Sequence, residues 1–549
     1  MPNNGTVEQM NSNGLSFHHP IAFWLGCAGL VAGVLSHVPM FMHASHMGYR
    51  MAGMPMDTAM LIGMGLILIG LVLAAYGLTP RLKQLKQAGG AEQLHFHVAD
   101  DAKLNRHHWT LVTVLIVALA VDVMKPATLG FVIPGLADEY DISKQTAGWL
   151  AFVALTGTTV GSVVWGRIAD ALGRRAAILL SALIFIGTSI CGAMPSFEWN
   201  LAMCFLMGAS AGGLLPITFT LMAETVPTRH RGWLLVALGG VGTSAGYLLA
   251  AGAANVLEPL FSWRALWLLG LPTGALIIIL DRYIPESPRF LAAAGLGDQA
   301  REVMAKFSGV VDPASIVGEE TTMTKATLNS GGMEMLFRGK HAPITWGLVI
   351  CGISWGLINF GFLLWLPANL RSMGMDAGAA SGLLASSAVF AVLGIPLVTW
   401  LYHRWSSIRT LVLFGALTAA SLTGFFLMGL LKLQSTPVIV TVTALLLVSS
   451  SGVIAMLIPY AAEIYPVRLR ATGTGVIAAS SKFGGILGAL CAVLGLFGDL
   501  SMSAIGVAIP MLISIAVLLK NGTDTRGRGL EAIQTEFSSR NDIASSIKL

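Results

Sequence analysis

A chain of 549 residues with 55% hydrophobic and only 11% charged side chains, and a mean hydropathy of +0.73, excludes a soluble globular protein, whose charged share is about 25%. The formal net charge of +5 is small and reads as loop bias, not as a nucleic-acid surface. Cys27, Cys191, Cys204, Cys351 and Cys491 all lie in apolar runs without metal-ligand or disulfide spacing, so they read as packing residues.

About 20 apolar residues are needed to span a bilayer as helix, and fourteen such runs are predicted. Two come first, near 20–42 and 57–78. No Lys or Arg precedes the first run, so it reads as a retained helix and not a cleavable signal. Twelve more start near residues 109, 147, 176, 199, 233, 262, 344, 380, 409, 436, 471 and 499. The expected organisation is a hairpin region 1–104, a six-helix unit 105–284, a charged central loop 285–342, a second six-helix unit 343–522 and a tail 523–549. Glu319 and Glu320 mark the centre of that loop, expected to hold short helices plus loop.

Between the first two runs lies His37-Val-Pro-Met-Phe-Met-His43-Ala-Ser-His46-Met47-Gly-Tyr-Arg-Met51-Ala-Gly-Met54-Pro-Met56. Thioether and imidazole suit Cu(I), and His43, His46, Met47 and Met51 are the candidate ligands. His43 to Met47 and Met47 to Met51 are each one helical turn apart. The plainer reading is adaptable methionine packing with histidines at the interface, and the absence of Cys-rich or acidic ligands favours it. His95, His97, His107 and His108 read as solvated loop residues rather than a second metal cluster.

Lys and Arg set orientation. Arg167, Arg174, Arg175, Arg229, Arg231, Arg282, Arg289, Arg338, Lys340, Arg404, Arg409, Arg468 and Arg470 fall on one side; the other carries Lys144, Arg264, Arg371 and Lys432. Both termini and the segment 79–108 are therefore expected in the cytoplasm, with the loop 43–56 outside.

The peptide Ala223-Glu-Thr-Val-Pro-Thr-Arg-His-Arg-Gly232 returns as Ala462-Glu-Ile-Tyr-Pro-Val-Arg-Leu-Arg-Ala471, so that Glu224, Pro227, Arg229 and Arg231 reappear 239 positions on as Glu463, Pro466, Arg468 and Arg470. Each copy closes one apolar run and opens another, the mark of a transporter built from two similar halves. Gly166-Arg-Ile-Ala-Asp170-Ala-Leu-Gly173-Arg174-Arg175 resembles the major facilitator superfamily signature loop, and Pro285-Glu286-Ser-Pro-Arg289 resembles the motif of its sugar-porter, organic-ion and metabolite–proton symporter branches. The resemblance covers about residues 105–525. It implies an all-α integral membrane fold of two six-helix bundles around a cavity that opens alternately to each side, to which the two N-terminal helices are an addition.

Within that resemblance, Gly166, Asp170, Gly173, Arg174, Arg175, Glu224, Arg231, Glu286, Arg289, Glu463 and Arg470 are gating candidates, with small residues allowing tight packing and Asp170 pairing arginines on closure. A second-half copy of the signature loop falls at 394–409, where Asp170 maps onto Arg409 and the Gly-Arg-Arg is missing.

A bare charge at mid-bilayer costs at least ~2.5–3.5 kcal/mol on insertion scales, so membrane-embedded ions are expected to face a cavity or a partner. Asp122 and Lys125 are one turn apart in the first helix of the twelve; Lys482 lies well inside the eleventh. The pair either neutralises itself or couples protons: an anion on the lysine frees Asp122 to take a proton. Lys482 stands where organic ion transporters, by resemblance, carry a charge that is basic in anion carriers. Its alternative is snorkelling. Tyr247, Trp355, Asn359 and Phe360 are further lining candidates, whereas Trp149 and Trp365 fit interface anchors as well.

The chain is thus expected to be a membrane carrier, not an enzyme and without cofactor, moving a small organic anion with protons, as a monomer in the cytoplasmic membrane. A copper carrier using the hairpin and a proton-driven efflux pump are the alternatives.

Overall fold

The computed structural model describes residues 19–78, 102–293, 296–308, 336–338, 341–432, 435–465 and 467–525, and the side chains of Thr228, Arg289, Ala293 and residues 467–471 are not described. Fourteen of its helices are long and apolar enough to cross a membrane. They are α1 Pro20–Met47, α2 Thr58–Leu78, α3 Arg106–Tyr140, α4 Lys144–Leu172, α5 Arg174–Ala193, α6 Phe197–Thr225, α7 Arg229–Phe261 and α8 Ala265–Tyr283, then α9 Ala342–Ser372, α10 Ala377–Arg404, α11 Ser407–Leu430, α12 Thr436–Ile464, α13 Thr472–Val493 and α14 Leu500–Asn521. Helices α3–α8 form one bundle and α9–α14 the other, with α1 and α2 as an added hairpin.

Local chemistry sets the helix starts. Asn105 and His108 form a reciprocal capping box before α3. Ser143, Ser196, Asp376, Ser406 and Asp499 cap α4, α6, α10, α11 and α14 with side-chain oxygens. The capping role buries His108, whose ring also packs on Phe307. That corrects the solvated-loop expectation at this position; His95 and His97 lie outside the described residues. In the central loop, helices Pro288–Ala293 and Gly297–Ser308 are present, while Glu319 and Glu320 lie outside the described residues.

The hairpin packs backbone to backbone. A Cβ on Gly70 of α2 would fall 2.7 Å from the carbonyl oxygen of Gly26 on α1, so glycine is required for this approach. Its connecting loop docks on the first bundle. The Met51 and Ala52 N–H groups donate to Glu139 Oε1 at 2.7 and 3.0 Å, and Glu139 also pairs with the fully buried Arg264 at 2.6 Å.

Helix α1 turns 3-10 at Ala44–Met47 and stops at Gly48 and Tyr49, both left-handed. Met47 is exposed and Met51 buried, so the expected one-turn stack of Met47 on Met51 does not form. Among the described residues no group of three His, Cys, Asp or Glu could hold a metal ion.

Candidate functional site

A cavity of about 160 Å³ lies between the bundles. Its wall comes from α3, α4, α6 and α7 on one side and α9, α12 and α13 on the other. Most of the lining is apolar or aromatic, and polar groups converge from both halves: Asp122, Thr158, Thr243, Tyr247, Asn359, Ser451, Ser481 and Lys482. An apolar cavity with a few placed polar groups is what a small-molecule site requires.

Asp122 and Lys482 therefore reach the same cavity from opposite bundles, along with Tyr247, Trp355, Asn359 and Phe360. Lys125 is fully buried but is not part of the wall. Its ammonium lies 3.4 Å from Asp122 Oδ1 and 4.0 Å from the centre of the Phe185 ring. It serves as the counter-ion behind Asp122. Trp149 is 41% exposed and Trp365 is buried, and neither lines the cavity.

On α13, Lys482 Nζ donates to the carbonyl oxygens of Thr158 on α4 and Gly212 on α6, at 3.4 and 3.3 Å. The indole N–H of Trp355 donates to the Ser450 carbonyl at 3.0 Å, which holds the ring edge-on to Phe360 with centres 5.9 Å apart. Residues Leu357–Leu363 of α9 form a π-helix, an irregularity frequent at functional sites. It rotates Asn359, Phe360 and Leu363 into the wall, and the Asn359 amide donates to the Trp355 carbonyl at 3.1 Å. Nothing in the residue types there announces the π turn. The Tyr247 hydroxyl is buried and has no hydrogen-bond partner among the described residues.

The gating candidates gather at the arginine-rich end of the bundles. Glu286 accepts from the backbone N–H groups of Arg174 and Arg175, at 2.7 and 3.2 Å, and so caps α5. Gly173 has φ +104°, and a Cβ there would fall 2.8 Å from Glu286 Cδ; glycine is needed on both counts. Burial pushes the Glu286 carboxyl up to about 7, partly offset by these backbone N–H groups.

Arg175 grips Asp281 through two hydrogen bonds of 2.7 and 2.5 Å. Arg174 lies 3.2 Å from Asp170 and 3.7 Å from Glu224, which also accepts from the Ser287 hydroxyl. Asp170 itself is 76% exposed. Arg231 donates to the Val226 carbonyl at 3.4 Å. Gly166 differs from expectation: among the described residues a Cβ there would meet nothing within 4 Å, so none of them requires glycine at this position. The Arg289 and Arg470 side chains lie outside the described set.

In the second half, Glu463 accepts from Tyr402 and Thr525 at 2.9 and 2.6 Å. Asp524 takes the Ser407 backbone N–H at 3.0 Å at the start of α11. Ser406 caps α11 as Gly173 precedes α5, and that equivalence sets Asp170 against His403, which corrects the match to Arg409. At the opposite end, Glu258 on α7 pairs with Arg371 on α9, joining the bundles.

Two bundles enclosing a shared cavity, an ionic pair inside the membrane and helix-capping loops at one end define a membrane transporter of the alternating-access type. The Major Facilitator Superfamily model matches residues 110–489, and the chain belongs to that family.

Its relatives include the niacin transporter NiaP of Acinetobacter baylyi, 25% identical over 79% of this chain and 98% of that protein. The 4-hydroxybenzoate transporter PcaK of the same species is 28% identical, over 71% and 85% of the two chains. A gallate transporter of Pseudomonas putida is 27% identical, over 77% and 94%. The fold is also that of the xylose transporter XylE of E. coli in a partially occluded inward-open conformation, with a TM-score of 0.61 at 15% identity over 78% of this chain and 100% of that one.

Proposed function

We propose that the protein carries an aromatic monocarboxylate, together with protons, into the cell across a bacterial inner membrane. The arginine-rich end is then cytoplasmic by the positive-inside rule. The observation that carries this reading is Lys482, an ammonium in an apolar, aromatic-walled cavity with Asp122 facing it.

Asp122, Lys125 and Lys482 together hold one formal positive charge in excess. An organic anion supplies the counter-charge for Lys482, whereas a neutral sugar leaves that lysine without a counter-ion in lipid. Trp355 and Phe360 offer faces and edges to a flat ring. The relatives named for niacin, 4-hydroxybenzoate and gallate support the same class, and the structural neighbour described as a proton–xylose symporter supports coupling. Asp122 is the proton carrier: with the substrate on Lys482, the pull of that lysine on Asp122 is spent on the substrate, and the carboxylate takes a proton as the cavity closes.

The test is uptake into proteoliposomes under an inward proton gradient, with benzoate, nicotinate, 4-hydroxybenzoate, succinate and xylose. Accumulation of the monocarboxylates alone, lost in Lys482→Ala, is expected. Asp122→Asn retains exchange but loses accumulation. Equal uptake by Lys482→Ala, or full accumulation by Asp122→Asn, would overturn the assignment.

A further inference from the structure

We infer that Lys482, resting on that reading as the substrate's partner, also latches the two bundles of the empty carrier, and that an anionic substrate releases the latch. The argument starts in α6. Its helix is interrupted at Gly212–Gly213, between the segments Phe197–Ala211 and Leu214–Thr225. In a continuous helix the Gly212 carbonyl would accept from the backbone N–H four residues on. That residue is Pro216, which has no N–H.

A carbonyl left open inside a membrane protein must find another donor. Here it finds two: the Ser162 hydroxyl of α4 at 2.6 Å, and Lys482 of the opposite bundle at 3.3 Å. Ser162 also reaches the Thr158 carbonyl at 2.8 Å, the second oxygen that holds Lys482.

These carbonyls make a cradle for an ammonium, with Ser162 as a standing donor. A carboxylate forms a stronger, charge-assisted hydrogen bond to lysine than a neutral carbonyl does. A bound acid therefore draws Lys482 off the first bundle, and the one Ser162 hydroxyl stays on the Gly212 carbonyl, which has no helical N–H of its own. The bundles lose a cross-link when substrate is aboard and regain it when the cavity empties. An empty carrier then reorients more slowly than a loaded one, because the latch discriminates between the two states.

The flux signature is exchange faster than net uptake. In proteoliposomes at equal pH, labelled benzoate should exchange against internal benzoate several-fold faster than it enters empty vesicles. Pro216→Ala returns an N–H to the Gly212 carbonyl and loosens the cradle without touching Lys482. Its exchange-to-uptake ratio should fall toward one with no rise in KM. Ser162→Ala should do the reverse, raising KM several-fold as the carbonyls cling to Lys482. A wild-type ratio of one, or an unchanged ratio in a transporting Pro216→Ala variant, overturns the latch.

A second measurement needs no substrate. Spin labels replace Lys144, the first residue of α4, and Ser435, just before α12, and report the bundle-to-bundle distance in the empty protein. Pro216→Ala and Lys482→Met should broaden that distribution, and identical distributions in all three proteins overturn the latch whatever the cargo is. If benzoate fails to move while the distances respond, the latch stands and the proposed substrate class falls.

Discussion

The arginine-rich ends of the two halves do the same structural work with different side chains. In the first half, the carboxylate that follows the last helix, Glu286, caps the third helix of its bundle through two backbone N–H groups. In the second half, Asp524 stands after α14 and takes the N–H of Ser407 at the start of α11. The next residue repeats too: Ser287 donates to Glu224, and Thr525 donates to Glu463. Around this shared frame the first half adds Arg174 and Arg175, paired to Asp170, Glu224 and Asp281. The second half uses hydroxyls from Tyr402, Ser407 and Tyr460. The pseudo-symmetry thus preserves a capped helix start and a hydroxyl–carboxylate clasp, around which the first half sets the pairs of Arg174 and Arg175.

The comparison breaks most visibly at Glu286. Glu286→Ala strips two hydrogen bonds from the start of α5, a loss of about 1–3 kcal/mol of stability, and uptake should fall with the amount of folded carrier. Thermal unfolding and benzoate uptake measure the two effects. Charge enters through pH. The folded Glu286 carboxyl sits at about 7, above its ordinary 4.5, so its protonated form is favoured by the fold. Its contribution is complete below about 4.5 and is lost as pH rises through about 7. Glu286→Gln copies the neutral, protonated carboxyl, so its melting temperature should match wild type below about pH 4.5. Wild type should fall relative to it over that window, and the two should run parallel above about 7; curves that stay together throughout would contradict the burial argument. Asp524→Ala removes a single backbone cap and should cost about 1 kcal/mol, with a correspondingly smaller loss of uptake.

Much of this was legible in the residues. Fourteen spans, the Ala-Glu repeat and the signature loop all rest on apolar run length and on residues that recur at fixed spacing, both of which survive without an alignment. Asp122 and Lys482 were visible because an ion in lipid is costly and must face a partner. The clasp of the second half was not, because Gly522-Thr523-Asp524-Thr525 shares no proline with Pro285-Glu286-Ser287-Pro288; only the helix geometry equates them. Lys125 looked like a cavity residue because i,i+3 spacing gives a neighbour and not a direction. The π turn of α9 escaped for a similar reason: helix register is set by packing against α13, where Gly361 meets Gly488. The break in α6 did have a signal, since Gly212-Gly213 with Pro216 both loosens a helix and removes its N–H.

The smallest expected effect is the sharpest test of the shared frame. Ser287→Ala and Thr525→Val each delete one hydroxyl that donates to a membrane-edge glutamate. Each substitution removes the donor, and Thr525→Val also keeps the shape. A hydrogen bond to a charged acceptor is worth about 1.5–3 kcal/mol, but both glutamates retain other donors, Tyr402 for Glu463 and Arg174 for Glu224. About 1 kcal/mol is therefore expected from each. If the halves are equivalent at this level, the two variants should lower the melting temperature by similar amounts. Their double variant should add, because the clasps lie in different bundles. High salt tests the share of the arginine: the Glu224 clasp sits beside Arg174, whose pull screening weakens. The Ser287→Ala penalty should therefore grow with salt. A penalty that does not change with salt would mean that Arg174 adds nothing to the clasp of the first half.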